Sequence, residues 1–137
     1  MKEWFGSAAV CMNEKNELLM VRSIGSEAWA VPSGGIEVGE TAEECCKREV
    51  KEETGYEVEI INRLFIKETE IKGIQVKTFY FKVRKMSRIH GIMDPDDTII
   101  AAEWKTLCDV QKINHAYPED KEFLINLMQN ATSSLIY

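Results

Sequence analysis

The sequence predicts an α/β sandwich built around a mixed sheet, and three observations carry that expectation. Short apolar runs of strand character, separated by turn clusters, fill residues 7–31 and recur over residues 58–105. Two stretches, residues 41–54 and the segment after Pro118, carry apolar residues at helical spacing. The two kinds of element are interleaved without strict βαβ alternation, which favours a mixed sheet over an all-parallel one. Residues 1–137 read as one domain, since no repeat, low-complexity stretch or linker divides them.

Taken in order, residues 7–12 and 18–21 are apolar and flank the turn cluster Asn13-Glu14-Lys15-Asn16, the pattern of a hairpin entering a sheet interior. Residues 28–31 form a short strand stopped by Pro32 and the loop signal Ser33-Gly34-Gly35. Thr41 is an N-cap with Glu44 completing a capping box, and Gly55 closes the helix. Two long strands follow, over residues 58–70 and 74–84, with Lys72-Gly73 as the hairpin turn. Residues 86–98 are polar and turn-rich, a further strand is expected over Ile99–Lys105, and Pro118 sits in the first turn of a final helix. That helix carries Phe123, Leu124, Leu127 and Met128 on one stripe.

Composition excludes several function classes. A net charge of −6 does not suit non-specific binding to DNA or to an anionic membrane, which rewards clustered Lys and Arg. The longest apolar run is five residues, 8–12, against the ~20 of a membrane helix. The N-terminus lacks the apolar core of a secretion signal, so a cytoplasmic location is expected. Cys11, Cys45, Cys46 and Cys108 show no paired metal-ligand spacing and read as ordinary thiols in a reducing compartment. A homodimer is compatible with the sequence but not derivable from it.

The helix over residues 41–54 breaks its own pattern. At 100° per residue, Ala42, Cys45, Cys46 and Val50 share the arc that should face the core, and Glu43, Glu44, Lys47, Arg48 and Lys51 the opposite one. Glu49 and Glu53 fall inside the apolar arc, with Glu52 at its edge and no Lys or Arg on that arc to pair with them. Like charges four apart cost roughly 0.2–0.5 kcal/mol even when exposed, and carboxylates near a core cost far more unless protonated or paired. A solvated charge run is the bland alternative. Residues 34–56, however, hold seven Glu against three basic residues, net −4 of the chain's −6. A hard divalent cation with oxygen ligands resolves the conflict.

From Gly34 the chain reads G-x5-E-x7-R-E-V-K-E-E-T-G-Y, with Gly34, Glu40, Arg48, Glu49, Val50, Glu52, Glu53 and Gly55 in place. This resembles the Nudix box of the Nudix (MutT-like) hydrolases; only Tyr56 departs, where an aliphatic residue is usual. The resemblance implies a Nudix-like α/β/α sandwich with the box as loop-helix-loop, and hydrolysis of a nucleoside diphosphate linked to another group. It implies Glu49, Glu52 and Glu53 as ligands of Mg²⁺ or Mn²⁺, with Glu52 or Glu53 as general base. On the same likeness Arg48 orients the glutamates, and Glu40 supports the loop or serves as a structural cap. Gly34, Gly35 and Gly39 serve close backbone approach or positive φ. A further acid from a late loop assists in many relatives, and Asp96, Asp97 and Glu103 are the candidates, turn or surface roles being favoured for each.

Substrate choice is read by absence. Near Lys72 and Ile74, where ADP-ribose-hydrolysing and dinucleoside-polyphosphate-hydrolysing relatives carry proline and tyrosine, neither stands here. A (d)NTP or modified nucleotide ranks first as the small-molecule substrate, with Gly34 and Gly35 beside it and Arg22 reaching a phosphate. Core packing is the expected role of Trp4, Phe5, Phe79 and Tyr80, with stacking on a base as the alternative. The competing functions are a nucleotide-binding regulatory module without turnover and an RNA 5′ pyrophosphohydrolase.

Overall fold

The computed structural model describes residues 2–136, with side-chain burial described through residue 131. Strands β1 (Lys2–Cys11), β2 (Leu18–Ser23), β3 (Trp29–Ala30) and β4 (Ser33–Gly35) precede helix α1 (Ala42–Thr54). Then come β5 (Tyr56–Ile71), β6 (Ile74–Arg88), β7 (Ile99–Lys105), α2 (Leu107–Lys112), a 3-10 turn at Pro118–Asp120 and α3 (Lys121–Ile136). One sheet has the order β4-β1-β6-β5 and the other β3-β2-β7. β1 runs parallel to β6, from Lys2 opposite Ile74 to Cys11 opposite Val83, while the remaining pairs are antiparallel, so the sheet is mixed as expected.

The side-chain period of two divides β1 between two cores. Ala8 and Val10 pack with Leu18, Met20, Tyr80, Val110, Leu124 and Met128 under α2 and α3. Ala9 and Cys11 pack with Leu19, Phe81, Val83, Cys46 and Val50 under α1. Helices thus cover both faces, giving the α/β/α layering. Leu124 and Met128 are fully buried, each contributing about 1.5–3 kcal/mol. Phe123 seats α3 edge-on against Phe65, with ring centroids 4.6 Å apart.

Two expectations about the strands are corrected, and one helix is added. Residues 7–12 and 18–21 do form strands and the intervening turn closes, with Asn16 at φ 59°, but β1 and β2 share only the bridge Met12–Leu18 before parting into separate sheets. Both are buried on two faces, and such strands show no alternation to say which neighbour they pair with. Residues 33–35, read as loop, pair with Gly6, Ser7 and Ala8 of β1. Helix α2 is an addition; its capping box, Thr106 with Asp109, was present in the sequence.

The β5–β6 hairpin turns at Lys72 and Gly73 with φ of 51° and 79°, the two left-handed positions of a type I′ turn. Trp4 and Phe5, expected in the core, are 43% and 41% exposed. Phe79 is partly buried and Tyr80 buried, as expected.

Candidate active site

Helix α1 forms where the capping signals place it. Thr41 accepts from the Glu44 N–H and Glu44 from the Thr41 N–H, and Gly55 ends the helix at φ 82°. Its apolar face docks on β1, where Ser7 donates to the Ala42 carbonyl at 2.7 Å, and Cys46 and Val50 are buried. That docking fixes the rotation of the helix, and the rotation carries the glutamates to the back of a cleft. The cleft, about 590 Å³, is lined by β2, β3, β4, the residues after β4, α1 and the loop of residues 89–98.

Glu53 is 7% exposed. Its Oε1 accepts from the Ser33 N–H at 3.3 Å, and its carboxyl is hydrogen-bonded to Glu49. Burial, then the Glu49 carboxyl beside it, push the Glu53 pKa above the usual carboxylate range and favour its protonated form. Burial also raises Glu52. Glu49 lies against Gly34 so closely that a Cβ there would fall inside its carboxyl group. Alanine at Gly34 is therefore expected to displace Glu49 and weaken Mn²⁺ or Mg²⁺ affinity by about 10–100-fold with little change in melting temperature, measured by calorimetry and thermal unfolding.

Arg48, placed off the glutamate arc by the helical wheel, nevertheless reaches these acids, in line with the orienting part that the resemblance implied for it. Its Nη1 donates to Glu49 at 2.8 Å and to Glu52 at 3.2 Å. Nε donates to Glu40 at 2.7 Å and Nη2 to the Gly35 carbonyl at 2.9 Å. The guanidinium thus binds the loop to the helix, and Glu40, which also accepts from the Glu37 N–H, braces that loop. Helical-wheel reasoning follows Cβ directions, and a long planar fork escapes it.

The other candidates separate. Gly34 and Gly35 line the cleft. Arg22 does not: it donates to the Ser26 carbonyl at 3.0 Å and lies over the Trp29 ring. Asp96 lines the cleft, Asp97 is a turn residue at φ 57°, and Glu103 pairs with Lys105 at 2.8 Å. Asp94, which the sequence reading passed over, lines the cleft facing Glu53. Burial opposes its ionisation, but hydrogen bonds from Thr98, Ile99 and Asp96 outweigh it and hold its pKa below the usual range. The Asp-Pro pair opening a turn was the available signal. Its loop is tied to the end of α1 by Met93 N–H to the Glu52 carbonyl and Ile89 N–H to the Gly55 carbonyl.

Six acids, Glu37, Glu49, Glu52, Glu53, Asp94 and Asp96, therefore face one Arg48 in this cleft. A polyphosphate would be repelled unless a cation entered with it. Among the described residues no three acids, histidines or thiols stand at ready-made ligand geometry, and Arg48 holds Glu49 and Glu52. The donor set still suits a hard cation: three carboxylates with an exchangeable proton beside a glycine loop.

A second cavity of about 530 Å³ adjoins the cleft and shares Ser33, Gly34 and Tyr117 with it. Its walls are mainly apolar, with Trp4, Ile71, Ile74 and Val76. The exposed indole of Trp4, packed on Gly6 and Gly35, is part of this wall.

Comparison with known proteins gives a match to the NUDIX domain model over residues 5–127. An RNA pyrophosphohydrolase of Marinomonas sp. is 47% identical over 57 residues, covering 39% of this chain and 35% of the relative. Nudix hydrolase 6 of Arabidopsis thaliana is 30% identical over 132 residues, covering 91% of this chain and 46% of the relative. The chain spans between a quarter and a half of the length of such curated relatives. The solved structure of a NUDIX hydrolase from Nitrosomonas europaea superposes with a TM-score of 0.76 at 25% identity, over 96% of this chain and 90% of that one.

Proposed function

The chain belongs to the Nudix hydrolase family, and on that premise we propose that it hydrolyses the pyrophosphate linkage of a nucleoside diphosphate joined to another moiety, a (d)NTP or modified nucleotide first among them. The observation that carries this reading is the adjacency of the two cavities: an acidic cleft suited to cation and phosphates shares the wall formed by Ser33, Gly34 and Tyr117 with an apolar cavity suited to a base. Glu49, Glu52 and Glu53 would hold Mg²⁺ or Mn²⁺. Such an ion neutralises charge on phosphate oxygens and acidifies water. We assign Glu52 as the general base, because its carboxylate lines the cleft and keeps solvent access, whereas Glu53 is buried against Ser33 and Glu49. Arg48 aims Glu49 and Glu52 and does not meet substrate. Residues 1–137 act as one domain, and buried free thiols at Cys11, Cys45 and Cys46, pushed to about 11, 11 and 12, suit the cytoplasm.

A nucleotide panel assayed with Mg²⁺ and Mn²⁺ in ¹⁸O-water tests the reading; labelled phosphate product supports it, and no product from any nucleotide overturns it. The Marinomonas relative favours RNA 5′ ends as a second reading, which a triphosphorylated oligonucleotide decides.

A pH dependence follows with a definite sign. The folded, metal-free protein holds the Glu53 proton above the ordinary glutamate range, so this site's stability contribution is full below that range. It is lost as pH climbs from about 4.5 toward about 10. Cation binding must expel the proton, so affinity is expected to rise with pH and about one proton to be released per ion. Calorimetry in buffers of different ionisation enthalpy measures that release.

A further inference from the structure

Among the described residues the two sheets end in four edge strands, and they are finished differently. β3 and β4 are only two and three residues long. β5 carries six charged residues, and its ladder to β6 shifts register in three places. Short length, charge and bulges are the devices that keep an edge strand from pairing with another chain. β7 largely lacks them. It reads Ile-Ile-Ala-Ala-Glu-Trp-Lys, and its ladder to β2 is regular from Lys105 to Ala101. Outside that ladder, no described residue gives the backbone of Ile100 to Lys105 a strand partner.

The pleat sorts this strand into two faces. On one, Glu103 already accepts from Lys105 at 2.8 Å, with Ala101 beside it. The other presents Ile100, Ala102 and Trp104. Ile100 is 46% exposed. Trp104 is held in place: its Nε1 donates to the Tyr56 hydroxyl at 3.1 Å, and the two rings meet edge-on with centroids 5.5 Å apart. Lys85 Nζ adds a cation 5.5 Å from the indole centroid. An aromatic ring fixed in advance is the kind of anchor on which interfaces concentrate their energy.

We propose that β7 pairs antiparallel with β7 of a second copy of this chain, about a two-fold axis at Ala102, joining two three-stranded sheets into one of six strands. The strand is self-complementary in that register. Ile100 faces the partner's Trp104 and Trp104 faces the partner's Ile100, so an aromatic meets a β-branched residue twice. Ala101 faces the partner's Glu103 and Ile99 the partner's Lys105, so no like charges stand opposite. Two other axes that keep the faces matched are worse. An axis at Glu103 sets that carboxylate against its own copy, and one at Ala101 carries Trp104 past the end of the partner strand.

Sedimentation velocity of the full chain over a range of concentrations tests this. A monomer–dimer equilibrium with a dissociation constant of about 10–100 µM is expected for so small an interface. Ile100→Lys should weaken it by at least about tenfold, through the loss of both cross-strand pairs, and leave the melting temperature of the dilute protein unaltered. Ile61→Lys, at a similarly exposed isoleucine on β5, should leave the equilibrium unchanged. The register is read by cross-linking in a Cys108→Ser background, which removes the exposed thiol. Ala102→Cys should form a disulfide-linked dimer under mild oxidation and Ala101→Cys should not, because like residues come within bonding range only at the axis. A chain that stays monomeric at about ten times the upper of those concentrations, a dimer that Ile100→Lys leaves intact or that Ile61→Lys also weakens, or cross-linking no better through Ala102→Cys than through Ala101→Cys overturns the inference. Should Ile100→Lys fail to fold, the cross-linking pair decides alone.

Discussion

Replacing Glu53 by glutamine is expected to lower nucleotide hydrolysis by about 10²–10⁴-fold, the several kcal/mol that a bound cation supplies, while raising the melting temperature of the metal-free protein. The two effects have one cause. Glu53 sits at 7% exposure beside Glu49, where its charge is unwelcome and a proton must be held in place of a cation. A side-chain amide supplies the same hydrogen bond to Glu49 permanently, still accepts from the Ser33 N–H, and carries no charge to bury. A gain of ~1 kcal/mol corresponds to roughly 3–5 °C in a chain of this size. The amide cannot replace an anionic oxygen among the cation's ligands, so turnover falls. Thermal unfolding and steady-state assays on one preparation check both halves. A lower melting temperature, or unchanged turnover, contradicts the account of this residue.

Arg48→Ala is expected to cost about 2 kcal/mol of stability and about 10–100-fold in activity. Removing one partner from a buried ionic set costs about 3–5 kcal/mol; the Arg48 side chain is 25% exposed, and water recovers part of that. The acids it leaves behind, Glu40, Glu49 and Glu52, then face one another across the loop. Activity falls because carboxylates that support a site lose their aim when the partner is removed. Lysine should rescue little, since a single ammonium cannot reach Glu40, Glu49 and the Gly35 carbonyl together. Urea unfolding of both variants beside the activity assay separates the structural from the positional loss.

The parts of this molecule that were legible in advance are those governed by local rules. The capping box of Thr41 and Glu44, the left-handed stop at Gly55 and the Lys72-Gly73 turn depend on residues a few positions apart. The displacement of Glu49 and Glu53 into an apolar arc is likewise a property of one helix, and Glu53 is buried as that arc requires. What escaped depends on partners distant in the chain. No local pattern says that β1 turns away from β2 toward a strand seventy residues on, or that glycines 34 and 35 extend a sheet edge. Asp94 escaped for a related reason, because its role comes from a loop fastened to the far end of α1. Arg22 pointed the right way along its strand, but its neighbour Trp29 and the Ser26 carbonyl hold it.

The separation of β1 from β2 also governs how the chain must assemble during synthesis. The early apolar segment Ser7 to Cys11 finds in the first half of the polypeptide only the brief pairing with Ser33–Gly35. Its main neighbour, Phe79 to Val83, leaves the ribosome much later. Until then a buried-type strand lies open with unmatched amide and carbonyl groups, and closing so long a loop is slow. Nascent chains stalled before that point are accordingly the form most exposed to aggregation, and expression at lower temperature, with chaperones present, protects the interval in which the central strand waits.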